Sequence, residues 1–240
     1  MQETKKFKAA DGKTISVVVD SCPGNKKGAL MIHGFTGGVM MHAFQCAAKT
    51  FPHHGMDTWR IFLYSTDENC RLMDDTTWDQ NMSDIGIVLN EMQAAYPETY
   101  LIGHSLEGAQ SVYAATEKTK GLALWEPACA VTLGCCKDSA FSQRHYEVNW
   151  GCTILASKSY VDSCRKVGRY AHPISHKKPT LVMLADETKE QWPSDIVPAK
   201  VCRVNNCDHC FNNEGNMEIL FKETMGFFGL EVGEPRLGEF

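Results

Sequence analysis

The sequence predicts an α/β protein built on a doubly wound, mainly parallel sheet with a small cap insertion. Short continuous apolar runs at 28–32, 100–103, 121–125 and 180–185 have the length of strands buried on both faces. Segments of helical composition separate most of them, and two β-rich runs at the start read as an antiparallel hairpin.

In chain order, 7–10 and 14–20 are the hairpin strands, joined by Asp11-Gly12. Cys22-Pro23-Gly24-Asn25 turns the chain into the strand 28–32, which ends in His33-Gly34-Phe35-Thr36-Gly37-Gly38. A helix is expected over 41–50, stopped by Pro52 and Gly55, and then a strand over 57–64. A polar, acidic loop covers 65–75. Trp78, Met82, Ile85, Leu89 and Met92 recur every three or four residues, the stripe of a helix over 77–95 lying on a sheet. Strand 100–103, helix 108–118 and strand 121–125 follow. Alternation lapses over 127–178, where the only expected helix is 157–167. It resumes with strands at 180–185 and 199–204 and a final helix over 216–228.

At 240 residues the chain is compatible with a single domain over 1–240, able to bury about 70 to 75% of its unfolded surface. A hydrophobic fraction of 43% and a charged fraction of 22% describe a globular protein, and a net charge of −5 without a basic run argues against nucleic acid. No apolar stretch approaches the roughly 20 residues of a membrane span. The first residues lack the apolar core of a signal peptide, so a cytoplasmic location is expected. There most of the eleven cysteines would remain thiols, Cys207 and Cys210 being the pair spaced for redox chemistry. Cys207, His209 and Cys210, with Cys202 upstream, could form a zinc site, but the usual second Cys-x-x-Cys is missing and none is expected.

The chemistry centres on Tyr100-Leu101-Ile102-Gly103-His104-Ser105-Leu106-Glu107-Gly108. A strand turning sharply into a helix holds a serine Oγ clear of the sheet, and N–H groups at the helix start face any negative charge that develops beside it. Ser105 therefore reads as a nucleophile, which needs a base within hydrogen-bond reach and a third group to orient that base. With the glycine-rich loop at 33–38, Asp186 after a late strand and His209 beyond it, the chain resembles the α/β-hydrolase superfamily over nearly its whole length. Within the superfamily it is similar to small serine carboxylesterases and acyl thioesterases.

That resemblance implies the order serine, acid, histidine along the chain, with catalytic Ser105, Asp186 and His209. His209 alone of the nine histidines follows Asp186. Glu187 and then Glu126 are the alternative acids. The backbone N–H groups of Phe35 and Leu106 would form the oxyanion hole. The partner implied is a small-molecule acyl ester or thioester, with no cofactor and no metal. Acyl transfer, lactone or amide hydrolysis on the same residues, or an inactive binding relative, are the rival readings. His104 is expected to be a packed side chain and His33 to shape the loop. Glu107 stands where the family carries glycine, so either the turn is reshaped or the neighbouring strand leaves room. The segment 127–178 should pass over the carboxyl ends of the strands, its aromatics Phe141, Tyr146, Trp150, Tyr160 and Tyr170 forming either a pocket wall or a small core of their own.

Overall fold

The structure, a computed structural model, describes residues 1–128, 136–149, 153–167, 178–186, 197–213 and 215–231. Strands β1 (Gln2–Lys8) and β2 (Thr14–Asp20) form the antiparallel hairpin. Then come β3 (Lys27–Ile32), α1 (His42–Thr50), β4 (Met56–Ile61), α2 (Trp78–Ala95), β5 (Glu98–His104), α3 (Glu107–Ala114) and β6 (Thr119–Trp125). After an inserted segment, β10 (Thr180–Ala185), β11 (Lys200–Val204) and α5 (Asn216–Phe227) complete the frame. The insertion holds β7 (Lys137–Asp138), β8 (His145–Asn149), β9 (Thr153–Ser157) and α4 (Lys158–Val167).

The eight-stranded sheet has the order β1-β2-β4-β3-β5-β6-β10-β11, antiparallel through β1, β2 and β4 and parallel from there on. This is the doubly wound α/β-hydrolase arrangement. Residues alternate between its faces as the two-residue period of a strand requires. Leu30, Ile32, Leu101, Leu122, Leu124, Val182 and Leu184 meet Ile85, Val88, Leu89 and Met92 of α2 and Val112 of α3. Ala29, Met31, Ile102, Trp125, Leu181 and Met183 meet Phe44 of α1 and Leu220, Phe221 and Met225 of α5. These side chains are almost wholly buried, each contributing about 1.5 to 3 kcal/mol where it is Val, Leu, Ile, Phe or Met.

Some boundaries differ from the sequence expectation. The strand expected over 57–64 ends at Ile61, and α3 stops at Ala114 rather than 118. There the Thr119 hydroxyl takes the Thr116 N–H at 3.0 Å and the Thr119 N–H donates to the Thr116 carbonyl at 3.1 Å, a turn that competes with further helix. The loop 65–75 is pinned by Arg71, which pairs with Asp11 of the hairpin turn and Asp84 of α2.

The insertion differs most. Besides the expected helix it forms a three-stranded antiparallel sheet, β7-β8-β9. Its strands are partly exposed, with Val148, Ala156 and Ser157 the buried positions, so their sequence carries little apolar alternation to read. Val148, Ala156, Tyr160, Val161 and Cys164 pack on Trp78 of α2, Phe35 and Leu106. Among the described residues no helix is long and apolar enough to cross a membrane.

Candidate active site

The backbone turns at the end of β5. Ser105 has φ 57°, in the left-handed region that L-residues avoid, at a cost of about 1 to 3 kcal/mol. Bonds on both sides hold it: its N–H donates to Trp125 O at 3.0 Å, and its carbonyl accepts from Gly108 N at 3.0 Å and Ala128 N at 2.9 Å. Gly103 permits the turn, since a Cβ there would sit 2.0 Å from Ser111 Oγ and 2.8 Å from Gly108 Cα. Gly34 permits the loop after β3 to approach, since its Cβ would lie 2.9 Å from Ser105 Cβ.

The loop after β11 brings His209 across. Its Nε2 lies 2.9 Å from Ser105 Oγ, and its Nδ1 lies 3.2 Å from Glu126 Oε2. With its proton on Nδ1 the ring would donate to the Glu126 carboxyl group and leave Nε2 to accept from the Ser105 hydroxyl. The His209 carbonyl bonds His104 Nε2 at 2.9 Å. His104 is buried, and burial, followed by the proximity of His209, lowers its pKa to about 4, so it remains a neutral donor. Asp208 closes the loop by accepting from Cys210 N at 3.0 Å and Asn212 N at 2.9 Å.

Glu126, the third of the three candidate acids, lies against His209, and Asp186 does not. Glu126 follows β6 with φ 47° and is 1% exposed. Its N–H donates to Met183 O at 2.8 Å, and its Oε1 accepts the Ala185 N–H, so β10 holds both ends of the residue. Asp186 instead accepts from Asn206 N at 3.4 Å. The physical reason lies in strand order: β6 is next to β5, whereas β10 is one strand, about 4.8 Å, further from the serine. Glu187 lies outside the described residues.

His33 is fully buried, donates from Nδ1 to Gly34 O at 3.0 Å and accepts the Leu63 N–H on Nε2 at 3.3 Å. Burial lowers its pKa to about 4, and it thus shapes the loop as a neutral ring. Leu106 caps α3, so its N–H stands at the helix mouth beside Ser105. The Phe35 N–H faces the carboxyl group of Glu107, and the Phe35 ring stacks on Tyr160 at 5.1 Å.

Glu107 is the site residue whose surroundings the sequence did not disclose. It is completely buried and accepts the Tyr160 hydroxyl on Oε1 at 2.5 Å. Burial pushes its carboxyl up to about 8 against the opposing bond from Tyr160. Gly108, one residue later, makes a close approach, since a Cβ there would lie 3.2 Å from Pro127 Cβ.

A cavity of about 570 Å3 opens over Ser105 and His209, lined also by Phe35, Thr36, Met41, Ala128 and Cys210 among others. The described aromatics of the insertion do not line it. Phe141 is exposed, Tyr146 is covered by Lys158 and Arg165, and Tyr160 packs beneath Phe35. Trp150 and Tyr170 lie outside the described residues. The Cys207 thiol bonds the Asp208 carbonyl at 3.3 Å, and burial, followed by Asp208, pushes its pKa up to about 12. Among the described residues no group of three His, Cys, Asp or Glu side chains could hold a metal.

No protein-family model matches the sequence, and no curated protein resembles it in sequence. Solved structures do resemble it in fold. Est1E from Butyrivibrio proteoclasticus aligns over 94% of this chain and 97% of its own at TM-score 0.74 and 19% identity. Mouse alpha/beta hydrolase domain-containing protein 10 aligns over 95% and 98% at TM-score 0.74 and 14% identity. A soluble variant of the monoglyceride lipase of Saccharomyces cerevisiae aligns over 95% and 96% at TM-score 0.71 and 11% identity. The neighbours are hydrolases and esterases, and the chain shares their α/β-hydrolase fold.

Proposed function

We propose that the protein is a serine hydrolase of carboxylic esters or thioesters that works through an acyl-enzyme, with Ser105 as nucleophile, His209 as base and Glu126 as the orienting acid. The observation that carries this reading is the unbroken chain from Ser105 Oγ through His209 to Glu126, at 2.9 and 3.2 Å, opening on a cavity. His209 Nε2 takes the hydroxyl proton as Oγ attacks the carbonyl carbon. The Leu106 and Phe35 N–H groups receive the alkoxide, a donor of this kind contributing about 3 to 4 kcal/mol. His209 then gives the proton to the leaving alcohol or thiol, and water, deprotonated by the same ring, releases the acid. The insertion at 127–178 is read as a cap, its described residues Val148, Ala156, Tyr160, Val161 and Cys164 packing with Phe35 and Leu106. An acyl substrate is favoured by analogy with neighbours of this fold, among them Est1E with ferulic acid bound. The test is fluorophosphonate labelling together with hydrolysis of p-nitrophenyl esters and acyl thioesters of graded chain length. Ser105→Ala should keep the fold and lose both activities; labelling that survives it would place the nucleophile elsewhere.

A further inference from the structure

Ser105, His209 and Glu126 leave one carboxyl beside the nucleophile unexplained. Glu107 follows Ser105 by two residues, carries no exposed surface and uses Oε1 for the Tyr160 hydroxyl. Its other oxygen, Oε2, has no hydrogen-bond partner of ordinary geometry, yet the Phe35 N–H faces this carboxyl. The same N–H is a donor on which the hydrolytic reading relies. We propose that Glu107 is a positioning residue that governs whether the Phe35 N–H is available to the substrate oxyanion, and that Tyr160 couples this control to the seating of the cap helix α4. The proposal rests on the hydrolase reading and deepens it.

The physics is a competition for one donor. An ionised carboxylate draws the Phe35 N–H to itself, and in a water-poor site its charge also opposes the negative charge building on the substrate oxygen. A protonated carboxyl is a weaker acceptor without that charge, and it releases the N–H. Burial pushes the Glu107 pKa up to about 8, so the residue is mostly neutral at pH 7 and ionises on the alkaline side. Among the described residues the other titratable groups facing it are Tyr64 from the loop after β4 and Tyr160 and Cys164 from α4. Burial first, and then the proximity of Glu107, raises all three, so they remain neutral while Glu107 titrates. Tyr160 also stacks on Phe35, so one side chain of α4 touches both the carboxyl and the residue whose N–H it contests.

The experiment is the pH profile of kcat/KM for p-nitrophenyl acetate in the wild type, Glu107→Gln and Tyr160→Phe, with fluorophosphonate labelling measured on the same samples. Wild type should fall on the order of tenfold between pH 8 and about pH 9.5, as one group ionises. Glu107→Gln should lose that fall while keeping the acid-side rise. Tyr160→Phe should move the fall to higher pH, because the bond it removes favours the ionised carboxyl. A merely structural role would lower the rate evenly without moving the alkaline limb. An alkaline fall that persists in Glu107→Gln, or a wild type with none, overturns the proposal while labelling at Ser105 upholds the hydrolase reading. A wild type that neither labels nor hydrolyses overturns both. Should Glu107→Gln fail to fold, the direction of the Tyr160→Phe shift decides alone.

Discussion

Two buried glutamates flank Ser105, and their surroundings differ. Glu126 lies against an imidazole and a backbone N–H, both of which meet its carboxyl group. Glu107 lies among Phe35, Tyr160 and Cys164, where a tyrosine hydroxyl does not offset the loss of water, and its carboxyl is pushed up to about 8. One residue type thus meets an imidazole and a main-chain donor on one side of Ser105, and on the other a setting whose burial raises its pKa. The difference comes from the partners: β10 and the loop after β11 deliver donors to Glu126, whereas α4 delivers an aromatic face to Glu107 and its loop.

The same substitution at both sites tests that contrast most strongly. Glu126→Gln should lower kcat for ester hydrolysis by about 10^3- to 10^4-fold, as the histidine loses the partner that selects its tautomer. Glu107→Gln should cost at least tenfold less at pH 7, since it exchanges one neutral group for another. Comparable losses in kcat would erase the distinction. A smaller effect is expected of Asp186→Asn, whose carboxylate meets Asn206 rather than His209: kcat should stay within about threefold, and a loss as large as that of Glu126→Gln would restore Asp186 as the acid. A separate signal is expected in stability. Because the folded chain holds the Glu107 proton to about pH 8 while an ordinary glutamate releases it near 4.5, stability should decline as pH rises between those values. Melting temperatures measured from about pH 5 to 8 should decline less in Glu107→Gln, and parallel curves would place Glu107 in a more polar setting.

Much of the frame could be read from local chemistry. Apolar runs such as 28–32 and 180–185 belong in a two-faced sheet because any exposed position would waste their side chains, and the spacing from Trp78 to Met92 permits little besides a helix on that sheet. The serine turn was legible because a glycine before Ser105 and a helix after it are local requirements. The pairing of Ser105 with a histidine 104 residues away came from resemblance in chain order, and the structure sets the two 2.9 Å apart. The sheet of the insertion was not legible, since strands with few buried positions carry little periodic signal.

The sequence by itself determined an α/β sheet, a serine at a strand-to-helix turn, and carboxylates at the ends of two late strands. Which carboxylate meets His209 was decided only by tertiary structure, because strand order is a property of the assembled sheet: β6 lies against β5, and β10 lies one strand beyond. Glu107 is the same case in sharper form. In the chain it is a charged residue near a helix start, an ordinary solvated position; the folded insertion lays Tyr160 over it, removes its water and leaves a neutral acid facing the Phe35 N–H. Burial by a segment more than fifty residues away cannot be read from the residue's neighbours, and burial sets whether the carboxyl carries its charge.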